Sequence, residues 1–460
     1  MTASASIDAT GDAATRPLSV ALKAGWGFGS VGTQVLLFSQ SLLLLYFFTT
    51  VLGLQPGVAG ALLFAGKLFD AFIAPIVGNA SDRAVTRLGR RRPFLLAGAV
   101  LCAAGLLLVF HPPVATLPAL FATLVLISIG YSAFNIPYLA MTAEMTDSPS
   151  ERTSLMSWRI AFVGVGTLIA TSLLPLISRS GGGGAEGYSR VGMTAAAVVF
   201  VAMTVAFLGT RTARATATRG EKVSAVAMFT AVATNRPFAW LLFAKLLQLV
   251  GLAASSASML FFFKDVIGGG ENMLATWGAV SNLVSIVSMA FWPAIGRRFG
   301  KVPVYAASVV GFAVVGFSWL WTGPGTGLAA VAVRAAASGV FVGGLLLMGQ
   351  SLIPDAIATD FARTGLRREG LLAGAYSFVE KASSALGPIV VGGVFQLLGF
   401  AVPGAAGRND PTAVYLAAAV IPATAYLLSA WPVGRIGVSL RAEAAAAEAL
   451  RAAGRASRPQ

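Results

Sequence analysis

The chain has 460 residues, of which 56% are hydrophobic and 11% charged, whereas a soluble domain carries roughly 25% charged residues. This composition is typical of a membrane protein. The formal net charge of +15 does not point to a nucleic-acid partner, because the basic residues fall in short connections between apolar segments. With one cysteine, Cys102, and one histidine, His111, the chain has no set of residues for a disulfide framework, a metal cluster or a Ser/His/Asp site. We therefore expect no enzyme activity, metal or cofactor.

The first ~20 residues lack the basic start and apolar centre of a signal peptide. Apolar windows of about 20 residues follow, each long enough to cross a hydrocarbon core of ~30 Å as a helix. The pattern predicts an all-α membrane protein with twelve transmembrane helices. The predicted spans are 24–51, 58–80, 94–110, 117–144, 158–178, 191–210, 237–266, 273–296, 303–322, 327–355, 371–399 and 412–432.

Basic residues divide the connections into two classes. The tails and the even-numbered connections hold 24 Lys and Arg, whereas the odd-numbered connections hold three, Arg179, Arg190 and Arg408. Because cytoplasmic connections are enriched in Lys and Arg, both termini are predicted to be cytoplasmic. The high Ala, Gly and Arg content suggests a bacterial chain and hence the inner membrane.

The longest polar connection falls at the midpoint of the chain. It predicts a linker between two six-helix halves, and "RLGRRRPFLL" after the second span is echoed by "GRRFGKVPVY" after the eighth. Parallel repeats of this kind are found in one large class of transporters. The predicted domains are the tail 1–23, the first bundle 24–210, the cytoplasmic linker 211–236, the second bundle 237–432 and the tail 433–460.

Charged residues inside the apolar spans mark possible functional positions. A charge at the centre of a membrane helix costs at least ~2.5 kcal/mol, so it is expected to face a partner or a wet cavity. Asp70 and Lys381 lie nearer mid-span than most of the others. The basic residues within or at the ends of spans are Lys67, Arg159, Lys245, Lys264, Arg334 and Lys381, and the acidic ones are Asp70, Glu144, Asp265, Asp355 and Glu380.

Two interpretations of Asp70 remain open. Lys67 lies three residues before it on the same helix face, where a local ion pair would lower the cost of insertion. Alternatively, Asp70 binds and releases a coupling cation, with Lys381 as a movable counter-charge that changes its proton affinity with conformation.

Several motifs together resemble a known family. "DRAVTRLGRRRP", preceded by "KLFDAFIAPIVG", resembles the loop between helices two and three of the glycoside-pentoside-hexuronide:cation symporters, the melibiose permease group of the major facilitator superfamily. "KAGWGFGSVG", "GYSAFNIPY" and "WRIAF" agree in the same order, as does "DFARTGLRREGLLAGAYSFVEKASSALGP". The resemblance covers nearly the whole chain. It implies the major facilitator fold, with pseudo-symmetric halves, and secondary active transport by alternating access.

The resemblance also implies a role for the arginine-rich loop. In the superfamily this loop is a cytoplasmic latch, so Asp82 would lie against a helix N-terminus of the other half, where the helix dipole favours a carboxylate. Simple anchoring of arginines on the cytoplasmic side is the alternative, and it does not explain Asp82. The implied gate loop comprises Asp82, Arg83, Gly89, Arg90, Arg91 and Arg92, with Arg367, Arg368 and Glu369 as possible partners across the halves.

The family pattern implies a coupling site at Asp70, Ser132 and Lys381. Family members that use sodium carry two acids four residues apart on helix two, but here Ala74 stands at the second position. A single carboxylate suits a proton better than a sodium ion. We therefore expect H⁺ as the coupling ion, with Na⁺ as the alternative.

The implied substrate-binding residues are Ser30, Tyr131, Asn135 and Arg159. Ser30 and Asn135 stand where the family has sugar-binding acids, and Leu139 stands where it has a tryptophan. We expect a small-molecule substrate such as a sugar or glycoside, surrounding membrane lipids and a monomer. The open alternatives are a carrier of lysolipids or other amphiphiles, an exporter, and a non-transporting receptor or assembly factor.

Overall fold

The computed structural model describes residues 17–84, 86–146, 148–213, 225–366, 368–400 and 411–456. Within these residues, eleven helices are long and apolar enough to cross a membrane, or up to twelve if a bent pair of helices forms one span. The prediction of an all-α membrane protein is confirmed, and the number of spans in the described residues reaches the predicted twelve when the bent pair is counted as one span.

The described residues form fourteen helices. They are α1 Val20–Val51, α2 Pro56–Arg83, α3 Arg92–Phe110, α4 Leu117–Met145, α5 Ser150–Ser180, α6 Ala185–Gly209, α7 Ala225–Thr234, α8 Arg236–Val266, α9 Gly270–Ser288, α10 Trp292–Phe299, α11 Lys301–Trp321, α12 Leu328–Thr364, α13 Glu369–Leu397 and α14 Pro411–Ala442. The last helix continues to Ala456.

The predicted span 273–296 is a bent pair of helices. α9 and α10 meet at an angle of 53° across a short break. Pro293 lies in the first turn of α10, where its missing N–H is tolerated, but in one continuous helix its ring would clash with the carbonyl of Met289, four residues earlier. The sequence therefore places a break at a point where mean hydropathy suggests one continuous helix.

Local backbone geometry recurs along the chain. A π-helical turn, Phe47–Val51, ends α1 and is followed by Gly53 at φ 74°; a second, Phe262–Val266, ends α8 and is followed by Gly268 at φ 80°. Positive φ is readily adopted only by glycine. In the two motifs that echo each other, Gly89 and Gly300 also have positive φ, 92° and 87°.

Contacts divide the chain into two units. The first comprises Met1–Gln40 and Leu68–Gly220, and the second comprises Ser41–Lys67 and Glu221–Gln460. The boundary at 220/221 falls inside the predicted linker. The segment 41–67, which the sequence assigns to the first bundle, groups with the second unit.

Close backbone packing explains why 41–67 belongs to the second unit. A Cβ at Gly60 would lie 2.6 Å from the carbonyl oxygen of Pro388, and one at Gly392 would lie 2.4 Å from that of Pro56. The ring of Tyr46 also packs 4.8 Å from that of Phe261. Glycines thus allow the beginning of α2 to contact α13 backbone to backbone.

Candidate functional site

The first unit brings together two residues of the predicted coupling site. The Ser132 hydroxyl of α4 donates a hydrogen bond of 2.6 Å to Oδ1 of Asp70 in α2. Ser132 is buried and Asp70 is half-buried. The carboxylate is therefore held at a fixed position while part of its surface remains accessible.

Both helices are locally weakened beside this pair. Pro75 follows Asp70 inside α2, and Pro137 follows Ser132 inside α4 at the same spacing. A proline inside a helix cannot donate to the carbonyl four residues earlier. The hydrogen bond between Ser132 and Asp70 thus joins two helices where each has lost part of its internal bonding.

The two lysines considered as partners of Asp70 lie in different surroundings. Lys67 is half-buried on α2, one turn before Asp70. Lys381 is half-buried on α13 and belongs to the second unit. A pairing of Lys381 with Asp70 stays a prediction.

Ser30 belongs to a buried network that the sequence analysis missed. Its hydroxyl lies 2.8 Å from the hydroxyl of Tyr138, and Ser30 is fully buried. The Trp26 indole donates to the carbonyl of Tyr138 over 3.1 Å, the Tyr138 hydroxyl lies 3.0 Å from the carbonyl of Trp26, and the two rings stack at 4.7 Å. This network joins α1 to α4. Both aromatic residues occur in quoted motifs, but their partnership requires the spatial contact.

The other predicted substrate residues of the first unit are more accessible. Tyr131 and Asn135 lie one turn apart on α4, and both are half-buried, as is Arg159 on α5. Within the described part of the chain, Nε of Arg159 is buried without a hydrogen-bond partner. These side chains offer a cation, a phenol and an amide to a polar ligand, and their role in binding it stays a prediction.

Arg91 is the centre of the gate loop. Its guanidinium contacts Asp82 through Nη1 at 2.5 Å and Glu144 through Nε at 3.0 Å, and Nη1 also donates to Ser81 at 2.8 Å. Arg90 contacts the same Glu144 oxygen at 2.5 Å. Here Asp82 pairs inside its own loop, whereas the resemblance implied a helix N-terminus of the other half. Glu144, only 4% exposed, is the carboxylate that the predicted loop set lacked.

The rest of the loop is held by backbone contacts. Nη2 of Arg92 donates to the carbonyl of Phe207 over 3.3 Å, and its guanidinium lies 4.8 Å from the centre of the Phe207 ring. Gly89 turns the chain with positive φ and donates to the carbonyl of Thr86. Arg83 is exposed at the end of α2.

The predicted partners across the halves are only partly described. Arg368 donates to the hydroxyl of Thr234 over 3.2 Å, within the second unit. Glu369 is exposed at the first position of α13. Arg367 lies outside the described residues.

A sequence profile identifies the family to which this helical membrane protein belongs. The profile of the MFS/sugar transport protein family matches residues 25–439. The chain belongs to this family. The match confirms the resemblance carried by the loop motifs, and it identifies a membrane transporter, not an enzyme.

Relatives of similar length support membership of the MFS/sugar transport family. The chain is 26% identical to the uncharacterized symporter YnaJ of Bacillus subtilis (strain 168), with 84% of each chain covered. It is 28% identical to the putative sulfoquinovose importer of Escherichia coli (strain K12), with 86% of each chain covered. These alignments cover most of both chains.

A solved structure of another transporter supports the fold described for this chain. The crystal structure of the nucleoside transporter NupG matches with a TM-score of 0.61 at 16% identity, covering 92% of this chain and 98% of that one. At this identity the likeness supports the fold alone.

Proposed function

We propose that this protein is a symporter that couples uptake of a sugar or glycoside to proton entry at Asp70 by alternating access. The observation that carries the proposal is the hydrogen bond from Ser132 to the half-buried Asp70 carboxylate within the membrane span. A relative is named as a symporter and another as a sulfoquinovose importer. Both names agree with ion-coupled sugar transport.

The donor set favours a proton over sodium. A sodium site needs several oxygen ligands, whereas Ala74 contributes no side-chain oxygen one turn after Asp70. Among the residues that the structure describes, no group of three or more Asp, Glu, His or Cys side chains converges on one point. A carboxylate needs only itself to carry a proton. A hydroxyl donor such as Ser132 stabilises its charged form after release.

The proposal places the protein in a plasma membrane with both termini in the cytoplasm. In this proposal the protein transports its substrate as a monomer surrounded by lipids. Two further proposals remain as alternatives, a carrier of amphiphiles such as lysolipids and an exporter. They predict different substrates and a different direction in the same transport assay.

The replacement Asp70→Asn tests the coupling role. In proteoliposomes with an imposed pH gradient, wild-type protein is expected to accumulate its sugar, whereas the Asn variant loses accumulation because the amide cannot gain and lose a proton. Exchange of labelled for unlabelled sugar at equal pH should persist. Replacing all sodium by potassium at constant gradient should leave wild-type accumulation unchanged.

Asp355→Asn is the matched control, because Asp355 is a carboxylate on α12 that forms an exposed ion pair with Lys301. It should accumulate sugar normally. If Asp70→Asn accumulates sugar as well as this control, proton coupling at Asp70 is wrong. Accumulation that follows the sodium gradient would identify sodium as the coupling ion.

A further inference from the structure

Helices α8 and α14 of the second unit run side by side in opposite directions. The Ser258 hydroxyl donates to the carbonyl of Ala417 over 3.1 Å, and earlier on α8 the Gln248 amide donates to the hydroxyl of Ser429, also over 3.1 Å. The beginning of α8 therefore lies beside the later part of α14. The distribution of Lys and Arg predicts that this end of the helix pair is cytoplasmic.

A pair of tryptophans joins the two helices near this end. The rings of Trp240 on α8 and Trp431 on α14 pack edge to face, with their centres 5.0 Å apart. Trp431 is 56% exposed. Tryptophan is enriched where membrane meets water, because its ring is apolar and its N–H is polar. The pair is therefore expected at the level of the lipid headgroups.

Each tryptophan has an exposed arginine one turn nearer the predicted cytoplasmic side. Arg236 precedes Trp240 on α8, and Arg435 follows Trp431 on α14, where its guanidinium lies 5.7 Å from the centre of the Trp431 ring. Because the helices are antiparallel and the two rings pack together, both arginines lie on the same side of the pair. Among the side chains that the structure describes, no carboxylate forms an ion pair with either arginine. Both charges are thus available to an anion from outside the chain.

The surface on the membrane side of the tryptophans is apolar and exposed. Leu428 lies one turn inward from Trp431, and Phe243 lies one turn inward from Trp240, so each shares a helix face with its tryptophan. Gly434, near the arginines, is exposed, and nothing lies within 4 Å of a Cβ built there. No side chain covers the surface at that point. An acyl chain can therefore lie along the helices while the phosphate above it reaches the arginines.

We propose that the beginning of α8 and the facing part of α14 form a binding site for an anionic phospholipid. Arg236 and Arg435 hold its phosphate, and its acyl chains lie along Phe243 and Leu428. Guanidinium groups bind phosphate through charge-assisted, bidentate hydrogen bonds, and basic clusters on the cytoplasmic side of membrane helices attract anionic lipids. The inference concerns the outer surface of the helices and does not depend on the substrate or on the coupling ion.

A second copy of this chain fits the same surface less well than a lipid does. A symmetric contact between two copies places one patch against the same patch of its partner. Four arginines without paired carboxylates would then be brought together. An anionic lipid neutralises these charges, so the charge pattern favours lipid over self-association.

Native mass spectrometry of the purified full-length protein in detergent tests the proposal. The probes are dioleoyl phosphatidylglycerol, dioleoyl phosphatidylcholine with the same chains but no net charge, and glycerol 3-phosphate without chains. The first phosphatidylglycerol should bind at least about tenfold more tightly than either of the others. Arg236→Gln and Arg435→Gln should each weaken its binding about fivefold, and both together about thirtyfold, as follows from the attraction of one surface arginine for anionic lipid.

The double variant with Arg179→Gln and Arg190→Gln is the matched control. It removes two exposed arginines near the connection between α5 and α6, on the predicted outer side, and lowers the net charge equally. It should bind phosphatidylglycerol like wild type. Equal binding of both lipids by wild-type protein, undiminished binding after loss of Arg236 and Arg435, or equally tight binding of glycerol 3-phosphate overturns the inference. A dimer that Trp431→Ala abolishes would instead assign this surface to a second copy of the chain.

Discussion

Glu144 holds the loop between α2 and α3 from the end of α4. One of its oxygens accepts from both Arg90 and Arg91, and Arg91 in turn contacts Asp82. Because Glu144 is almost fully buried, its charge depends on these two arginines for compensation. The position of the loop therefore depends more on one buried carboxylate than on how many arginines the loop contains.

Replacing Glu144 by Gln should destabilise the protein strongly. The change leaves two guanidinium groups without their shared carboxylate, and breaking a buried ion pair costs about 3 kcal/mol or more. We expect a clear fall in the melting temperature of the purified protein. The readout is a thermal scan in detergent.

Glu186→Gln is the comparison for this variant. Glu186 and Arg190 form an exposed pair one turn apart on α6, and such pairs contribute about 0.5 kcal/mol or less. Its melting temperature should match that of wild type. Equal stability of the two variants would show that the arginines find other partners.

The sequence located charged residues better than it located their partners. Asp70 could be selected because a carboxylate inside an apolar span is unusual, and Ser132 could be named only through the family pattern. Tyr138 was missed because its hydroxyl meets Ser30 across two helices. Helix rotation and packing decide such contacts, and the pattern of one helix does not contain them.

At the scale of helices, apolar windows predicted nearly every span but not its ends. α12 extends from Leu328 to Thr364, beyond the predicted end at 355, because its last turns are polar but still helical. Mean hydropathy reports the hydrocarbon layer, whereas a helix ends where its backbone is capped. Here the left-handed Gly365 caps α12, and that glycine was visible in the sequence.

Adjacent glycines of α13 provide a test of helix packing. Gly392 lies against the carbonyl of Pro56, whereas nothing lies within 4 Å of a Cβ at Gly393. Gly392→Ala should therefore destabilise by roughly 1–3 kcal/mol, since backbone must move. Gly393→Ala should be neutral, or stabilising by up to about 1 kcal/mol from helix propensity.

Melting temperatures of the two alanine variants, measured side by side, check this prediction. Transport rates should follow the same order if the contact between α2 and α13 forms during the cycle. A stable Gly392→Ala protein together with an unstable Gly393→Ala protein would contradict the packing described for this helix.

At the scale of the whole molecule, the distribution of basic residues predicts the orientation in the membrane. The connection before α12 lacks Lys and Arg and is predicted to lie outside the cell. The connection after α12 contains Arg367 and Arg368 and is predicted to lie in the cytoplasm. With Cys102 replaced by alanine, single cysteines at Thr326 and Leu366 should differ in accessibility. A membrane-impermeant maleimide added to intact cells should label Thr326→Cys alone.

Labelling of Leu366→Cys in intact cells, with Thr326→Cys protected, would place both termini outside. Lysed cells provide the control, because both single-cysteine proteins should then react. The native Cys102 is buried, so its replacement by alanine removes a background thiol without altering an exposed surface.

The π-helical turns at the ends of α1 and α8 change how these helices end. Both turns are followed, two residues later, by a glycine with positive φ. Two further π turns in the described chain, Ile169–Leu173 and Leu416–Val420, have no such glycine after them. A π turn holds about one residue more than an α turn, so it rotates the residues after it by about 100° around the helix axis. At the ends of α1 and α8 this rotation therefore decides the direction in which the chain leaves the helix.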